Sequence, residues 1–308
     1  MRVVVLGAAA GGGVPQWNCN CEICRVARDE RPELQATQAS ISVSSDGDHW
    51  FLVNASPDLR QQVIASPQLH PKAGHLRHSP IAGVILTNGE VDAVAGLLSL
   101  REGWPFTIYA HQQVLDILKS NSIFNVLDEK RVKREAIEFG RAFEPKLADG
   151  RPSGLEVIPF AVPGKRAWYL ENETAPAGTA ESGDTLGLRI ADKRSGEHIY
   201  FLAACAAFTP ELRQRLQGAP LVFFDGTLWR DDELIAAGLG AKTGQRMGHM
   251  AMSGSDGAIA ALADLGIGRK IFLHINNSNP VLLPDSKERQ AAERAGWQIP
   301  FDGMEIML

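Results

Sequence analysis

The apolar run Ile81-Ala82-Gly83-Val84-Ile85-Leu86 stops at a polar segment, Thr87-Asn88-Gly89-Glu90-Val91-Asp92-Ala93, and the small-residue stretch Val94-Ala95-Gly96-Leu97 follows at once. A short buried strand, an acid-bearing loop and a helix opening on small residues form a unit of layered α/β folds. Ligands in such folds gather where the strands end. Glu90 and Asp92 lie two apart, and in extended backbone residues i and i+2 point the same way. Two converging carboxylates repel each other unless a cation or a proton lies between them. Alone, the pair has a second reading, as solvated loop acids. Its weight comes from company: Asp225 follows the apolar run 221–224 and His274 follows 270–273, both at strand ends.

The rest of the chain reads the same way. Strands are expected at 3–6, 40–44, 49–53, 81–86, 106–110, 155–162, 221–224 and 270–275, with a hairpin of 186–191 and 198–203 across 192–197. Helical character is expected at 58–64, 94–100, 112–119, 255–265 and 285–295. Residues 173–184 are small and polar and read as an exposed loop, with a lid as the functional alternative. Strands alternate with helices in the second half and are joined by short turns at the start. That pattern predicts an α/β sandwich, two mixed β-sheets with helices outside, in a single domain spanning 1–308.

Composition limits the function. Of 308 residues 22% are charged, and the net charge of -5 gives no basic footprint for nucleic acid. No apolar run reaches the roughly 18 residues that a membrane span needs. The opening Met1-Arg2-Val3-Val4-Val5-Leu6-Gly7 lacks the longer apolar core of a signal peptide, so a cytoplasmic protein is expected. Gly11-Gly12-Gly13 after the first strand suggests dinucleotide binding, but Pro15 and a cysteine cluster stand where the helix must begin.

That cluster is Cys19, Cys21 and Cys24, three of the four cysteines in a Cys-x-Cys-x-x-Cys array. A tight turn with this spacing points three sulfurs at one ion, and thiolates favour tetrahedral zinc. The expectation is a closed, structural zinc knuckle over about 17–24. The fourth ligand is either the remaining thiol, Cys205, at a buried strand end, or a side chain just after His274, with Asn277 the first choice. His249, in Met247-Gly248-His249-Met250, reads as an acid/base or substrate contact, or as an ordinary loop histidine. His70, His75 and His78 read as surface residues.

The segment 85–97 also resembles the signature frame of the metallo-β-lactamase superfamily, Thr-His-x-His-x-Asp-His before a helix. Asn88, Glu90 and Ala93 stand at the three His positions, and only Asp92 is retained in type. Blocks along the chain resemble the family of pyrroloquinoline quinone (PQQ) biosynthesis B proteins, PqqB. They are the run from Val4 to Cys21, Ser56-Pro57-Asp58-Leu59-Arg60, Asp225-Gly226-Thr227-Leu228-Trp229, Met247-Gly248-His249-Met250 and His274-Ile275-Asn276-Asn277.

The resemblance implies an αββα sandwich. It also implies that His274 binds an active-site metal, while Asn277 fills the knuckle position where a related phosphodiesterase branch has His. Pro163 and Gly164 stand where that superfamily has a further His, and Ala204 where it has a bridging Asp. These losses argue against a dinuclear hydrolase. One His with two or three carboxylates is a hard, oxygen-rich set that suits Fe(II) or another divalent ion. The expected active-site metal ligands are Glu90, Asp92 and His274, and the expected catalytic set is His249, Asp225 and Asn88.

The implied function is a step in PQQ biosynthesis: iron- and oxygen-dependent hydroxylation of the tyrosine ring in a precursor derived from cross-linked Glu and Tyr. The implied partners are that precursor, small or short-peptide-derived, and other PQQ biosynthesis proteins. A carrier of PQQ or its precursor, and a degenerate mononuclear metallohydrolase, are the alternatives.

Overall fold

The structure, a computed structural model, describes residues 1–170 and 183–308. Residues 173–182 of the expected surface loop or lid lie outside the described residues.

Thirteen strands are described: β1 (Arg2–Gly7), β2 (Ser40–Ser44), β3 (Trp50–Val53), β4 (Ile81–Ile85), β5 (Phe106–Ala110), β6 (Val132–Ala136), β7 (Leu155–Ala161), β8 (Leu186–Asp192), β9 (His198–Leu202), β10 (Leu221–Asp225), β11 (Arg269–Leu273), β12 (Trp297–Gln298) and β13 (Glu305–Met307). They form two sheets, ordered β13-β1-β2-β3-β4-β5-β6 and β12-β11-β10-β9-β8-β7. Both sheets are mixed. The first three strands pair antiparallel, and β3 to β6 pair parallel. In the second sheet β7-β8-β9 is antiparallel, and β9 to β12 is parallel.

Alternation along each strand divides the core into layers. Val3, Val5, Ile41, Val43 and Val53 face Leu188, Ile190, Phe201, Phe223 and Ile271 across the gap between the sheets. The other face of the first sheet, with Val4, Leu52, Val84 and Ile108, packs on Leu59, Val114 and Leu118 from helices. The other face of the second sheet, with Val222, Phe224 and Phe272, packs on Leu212, Ala258 and Ala292. The αββα layering expected from the sequence is therefore present. Among the described residues no helix is long and apolar enough to cross a membrane.

Two expected helices differ. The stretch 94–100 is a short α-helix, Val91–Val94, continued by a 3-10 turn, Ala95–Leu100. The cause is Gly96, packed so tightly on the 55–56 backbone that an added Cβ would lie 2.0 Å from the Ser56 carbonyl. The stretch 255–265 keeps only Ala258–Ala261 as helix. Gly257 turns against Ser253, where a Cβ would sit 2.2 Å from a carbonyl oxygen.

One connection positions the site. After β11 the chain runs through Ile275, whose N–H donates to the Ala8 carbonyl (3.0 Å) and whose carbonyl accepts from Ala10 (2.8 Å). The end of the second sheet is thus tied to the chain leaving the first.

Candidate functional site

Strands β10 and β11 run parallel with Asp225 opposite Leu273, so Asp225 and His274 arrive side by side. His274 has φ +62°, the left-handed region that non-glycine residues seldom occupy. Such strain concentrates at functional sites.

Thr227 joins the cluster together. Its hydroxyl lies 2.7 Å from Asp225 Oδ1, 2.9 Å from His274 Nδ1 and 3.0 Å from His249 Nδ1. His249 Nδ1 is also 2.7 Å from Asp225 Oδ2. A hydroxyl has one proton to give. If Thr227 donates it to the buried Asp225 carboxylate, it accepts from His274 Nδ1–H, while His249 Nδ1–H donates to Asp225. The network places a proton on Nδ1 of both imidazoles and turns both Nε2 atoms away from Thr227. The rings stack with centroids 5.0 Å apart and planes at 19°.

His274 Nε2 meets Asp92 Oδ2 at 2.8 Å. Burial alone would raise the Asp92 carboxyl, but the hydrogen bond and charge of His274 outweigh it and hold it below the usual range. Burial likewise works to lower His274, and the bond and charge of Asp92, then Asp225 and Glu90, carry it above its ordinary value. An imidazole and a carboxylate held this way suit a cation that can replace the shared proton.

Glu90 does not join them. Its carboxylate takes Lys165 Nζ at 2.6 Å and the Trp168 N–H at 3.1 Å. The expected convergence of Glu90 and Asp92 needed extended backbone. Here Glu90 is the N-cap of the helix Val91–Val94 and Asp92 lies in its first turn, so the two side chains part. Asn88 Oδ1 accepts from the Glu90 N–H at 3.0 Å, and Asn88 pairs with Thr185. Among the described residues two triads of metal-binding side chains converge within 4.8 Å: Asp225, His249 and His274, and Cys19, Cys21 and Cys24.

His249, His274, Thr227 and Asp92 border a cavity of about 770 Å³, which Asn88, Glu90 and Lys165 also line, while Asp225 is buried behind them. This is the size of a small-molecule site rather than of an ion alone.

The sulfur triad sits against the same loop. Asn277 places its side-chain amide 3.2 Å from Cys24 Sγ and 3.9 Å from Cys21 Sγ, and the Cys21 thiol donates to its carbonyl at 3.7 Å. A tetrahedral ion with arms of about 2.3 Å to sulfur and 2.1 Å to oxygen spaces its ligands about 3.6 Å apart, within this range. The amide nitrogen and oxygen of Asn exchange by a flip. Burial pushes the Cys21 thiol up to about 12, with Cys19 and Cys24 beside it. Burial also pushes on Cys19, but hydrogen bonds from Cys21, Cys24 and Asn277 bring it below its ordinary value. Three thiols with one favoured thiolate suit a cation that would displace the remaining protons to solvent. Cys205 is buried elsewhere, donating to the Ala207 carbonyl.

Sequence reasoning missed Thr227 as a site residue, and Lys165, 75 residues from its partner. The Asp-x-Thr spacing at a strand end was the available signal for Thr227. Lys165 had none.

Comparison with known proteins fits this geometry. A model of the β-lactamase superfamily domain matches residues 49–275. Coenzyme PQQ synthesis protein B of Rhodopseudomonas palustris strain BisB5 is 71% identical, and that of Bradyrhizobium diazoefficiens 68%, each over the whole of both chains. The crystal structure of zinc-bound PqqB from Methylobacterium extorquens superposes with a TM-score of 0.94 at 50% identity, covering both chains fully. A diphosphatase of the PhnP family, 19% identical with a TM-score of 0.69 over 100% of this chain and 97% of its own, shares the fold.

Proposed function

This chain belongs to the coenzyme PQQ synthesis protein B family of the β-lactamase superfamily, and from that membership we propose that it hydroxylates the tyrosine ring of a Glu- and Tyr-derived precursor during PQQ biosynthesis. The supporting observation is the cluster around Thr227, in which Asp92, His274 and His249 border a cavity of about 770 Å³ and the buried Asp225 holds His249 from behind. A mixed imidazole and carboxylate set with room for further ligands suits Fe(II) or a similar divalent ion.

His274 Nε2 and Asp92 would hold this ion, and Glu90, whose Oε1 keeps Lys165 and the Trp168 N–H, would join them through Oε2. Bound iron would supply oxygen activation. The chain's own residues do the rest. Thr227 fixes the His274 tautomer, and the cavity takes the substrate. His249, oriented by Asp225 through Nδ1, gives or takes a proton at Nε2, and Asn88 holds the Glu90 backbone. Hydroxylation replaces a ring C–H by C–OH. One atom of O2 enters the ring and the other leaves as water, so a reductant supplies two electrons and two protons.

The knuckle would hold a structural zinc through Cys19, Cys21, Cys24 and Asn277, within one domain spanning 1–308. Reduced thiols in that role suit a cytoplasmic protein. The substrate is a small or peptide-derived precursor, exchanged with other proteins of the same pathway.

The test is to load the zinc protein anaerobically with Fe(II), then add oxygen, ascorbate and a Glu-Tyr-derived substrate. Oxygen-dependent gain of one oxygen atom is expected. Binding without turnover would favour a carrier, and bond cleavage without oxygen a hydrolase; either would overturn the hydroxylase.

A further inference from the structure

Trp17 and Trp168 are 88% and 67% exposed, although Trp50 and Trp297 are fully buried. Single exposed aromatics need no explanation. These two border the same cavity as Asp92, His249 and His274. Each is also presented by a pinned loop. Trp17 lies inside the turn closed by the Cys19 N–H on the Gln16 carbonyl (3.1 Å), and Arg28 clamps that turn at the Gln16 and Cys19 carbonyls (3.3 and 3.1 Å). Trp168 donates its backbone N–H to Glu90 (3.1 Å), and Tyr169 donates its hydroxyl to the Gly89 carbonyl (2.6 Å). The cysteine turn and the Gly89-Glu90 segment therefore each hold one indole at the cavity. Rigid presentation lowers the cost of ordering on binding.

We infer that Trp17 and Trp168 form an aromatic subsite that stacks a planar ring, with Lys165 and Lys242 of the same cavity drawing carboxylates on that ring; this deepens the function proposed above and rests on it for the reaction only. Indole faces favour offset stacking on flat π-systems. An ammonium carries three donors; Lys165 gives one to Glu90 (2.6 Å) and a longer one to the Arg166 carbonyl (3.3 Å), and the longer one can turn to a ligand carboxylate. The ligand class is a planar aromatic polycarboxylate.

The test uses calorimetry on protein loaded with zinc and iron. The probes are PQQ, a planar aromatic tricarboxylate, and citrate, a tricarboxylate without a ring. Citrate should bind at least about tenfold more weakly than PQQ, a difference of about 1.4 kcal/mol. Trp17→Ala and Trp168→Ala should each weaken PQQ about tenfold, while Trp17→Phe and Trp168→Phe keep most of the affinity. Metal content is measured in every variant. If Trp17→Ala loses zinc, Trp17→Phe and Trp168→Ala carry the decision. No PQQ binding by the natural protein, equal binding of citrate, or unchanged affinity in the Ala variants would overturn the subsite. Weakened PQQ binding in the Ala variants, with no oxygen-dependent turnover in the natural protein, would leave the subsite standing and remove the hydroxylase. Turnover with unchanged PQQ affinity in the variants would do the reverse.

Discussion

The cysteine knuckle and the His–carboxylate cluster sit three residues apart on one loop, at Asn277 and His274, yet they are built on opposite plans. The knuckle draws its sulfurs from six consecutive positions and closes them with Asn277. The other cluster gathers Asp92, Asp225, His249 and His274 from four separate segments and faces a cavity through Asp92, His249 and His274. A closed thiolate site holds an ion for structure, whereas a site with positions left open can present an ion to a substrate. The comparison teaches that proximity along the chain does not assign function; ligand softness and access do.

The comparison would break most clearly at the knuckle. Cys24→Ser should remove about one equivalent of zinc, by the ligand count, and lower the melting temperature, because such binding is coupled to folding. Zinc content equal to that of the natural protein would refute the structural site. His274→Ala should do the converse, losing the second metal and turnover while zinc stays. Simultaneous loss of both ions would mean that the two clusters are one unit.

Smaller effects separate roles within the open cluster. His249→Ala should keep the metal and lose about 10²–10⁴-fold in turnover, the usual contribution of a general acid or base; loss of metal would make His249 a ligand instead. Thr227→Val should weaken the second metal about 10–100-fold, as for residues that orient ligands, with zinc content unchanged by metal analysis.

The smallest expected effect lies outside both clusters. Burial raises the Asp302 carboxyl to about 6, against the hydrogen bonds it accepts from Thr37 and Ala8. A carboxyl raised above its unfolded value of about 3.9 favours the folded state while protonated. Its contribution is therefore full at low pH and is lost as pH rises from about 4 through 6, roughly 2 kcal/mol after solvent screening. Carboxyl NMR should find this titration with either metal site emptied by mutation, and a midpoint near 4 would refute it.

Much of this was legible in the sequence. The layered fold followed from alternating apolar runs, and the knuckle from cysteine spacing alone. Asp225 and His274 were visible as polar residues ending apolar strands. The fate of Glu90 was not, because the helix begins one residue after it and its partner Lys165 comes from a distant segment. Strand β6, Val132-Lys133-Arg134-Glu135-Ala136, escaped notice because a largely charged edge strand has no apolar alternation to read. Trp17 and Trp168 gave no signal, since exposure at a cavity is a property of the assembled sheets.

The backbone bonds from Ile275 to Ala8 and Ala10 have a mechanical consequence. They stitch the two halves of the sandwich at the segment that separates His274 from Asn277. Any sliding of one sheet past the other is felt there first, by both sets of ligands at once. Filling either set should damp that breathing, so the amide protons of Ala10 and Ile275 would exchange more slowly with each ion added, and their exchange rates would serve as a gauge of metal loading in the intact protein.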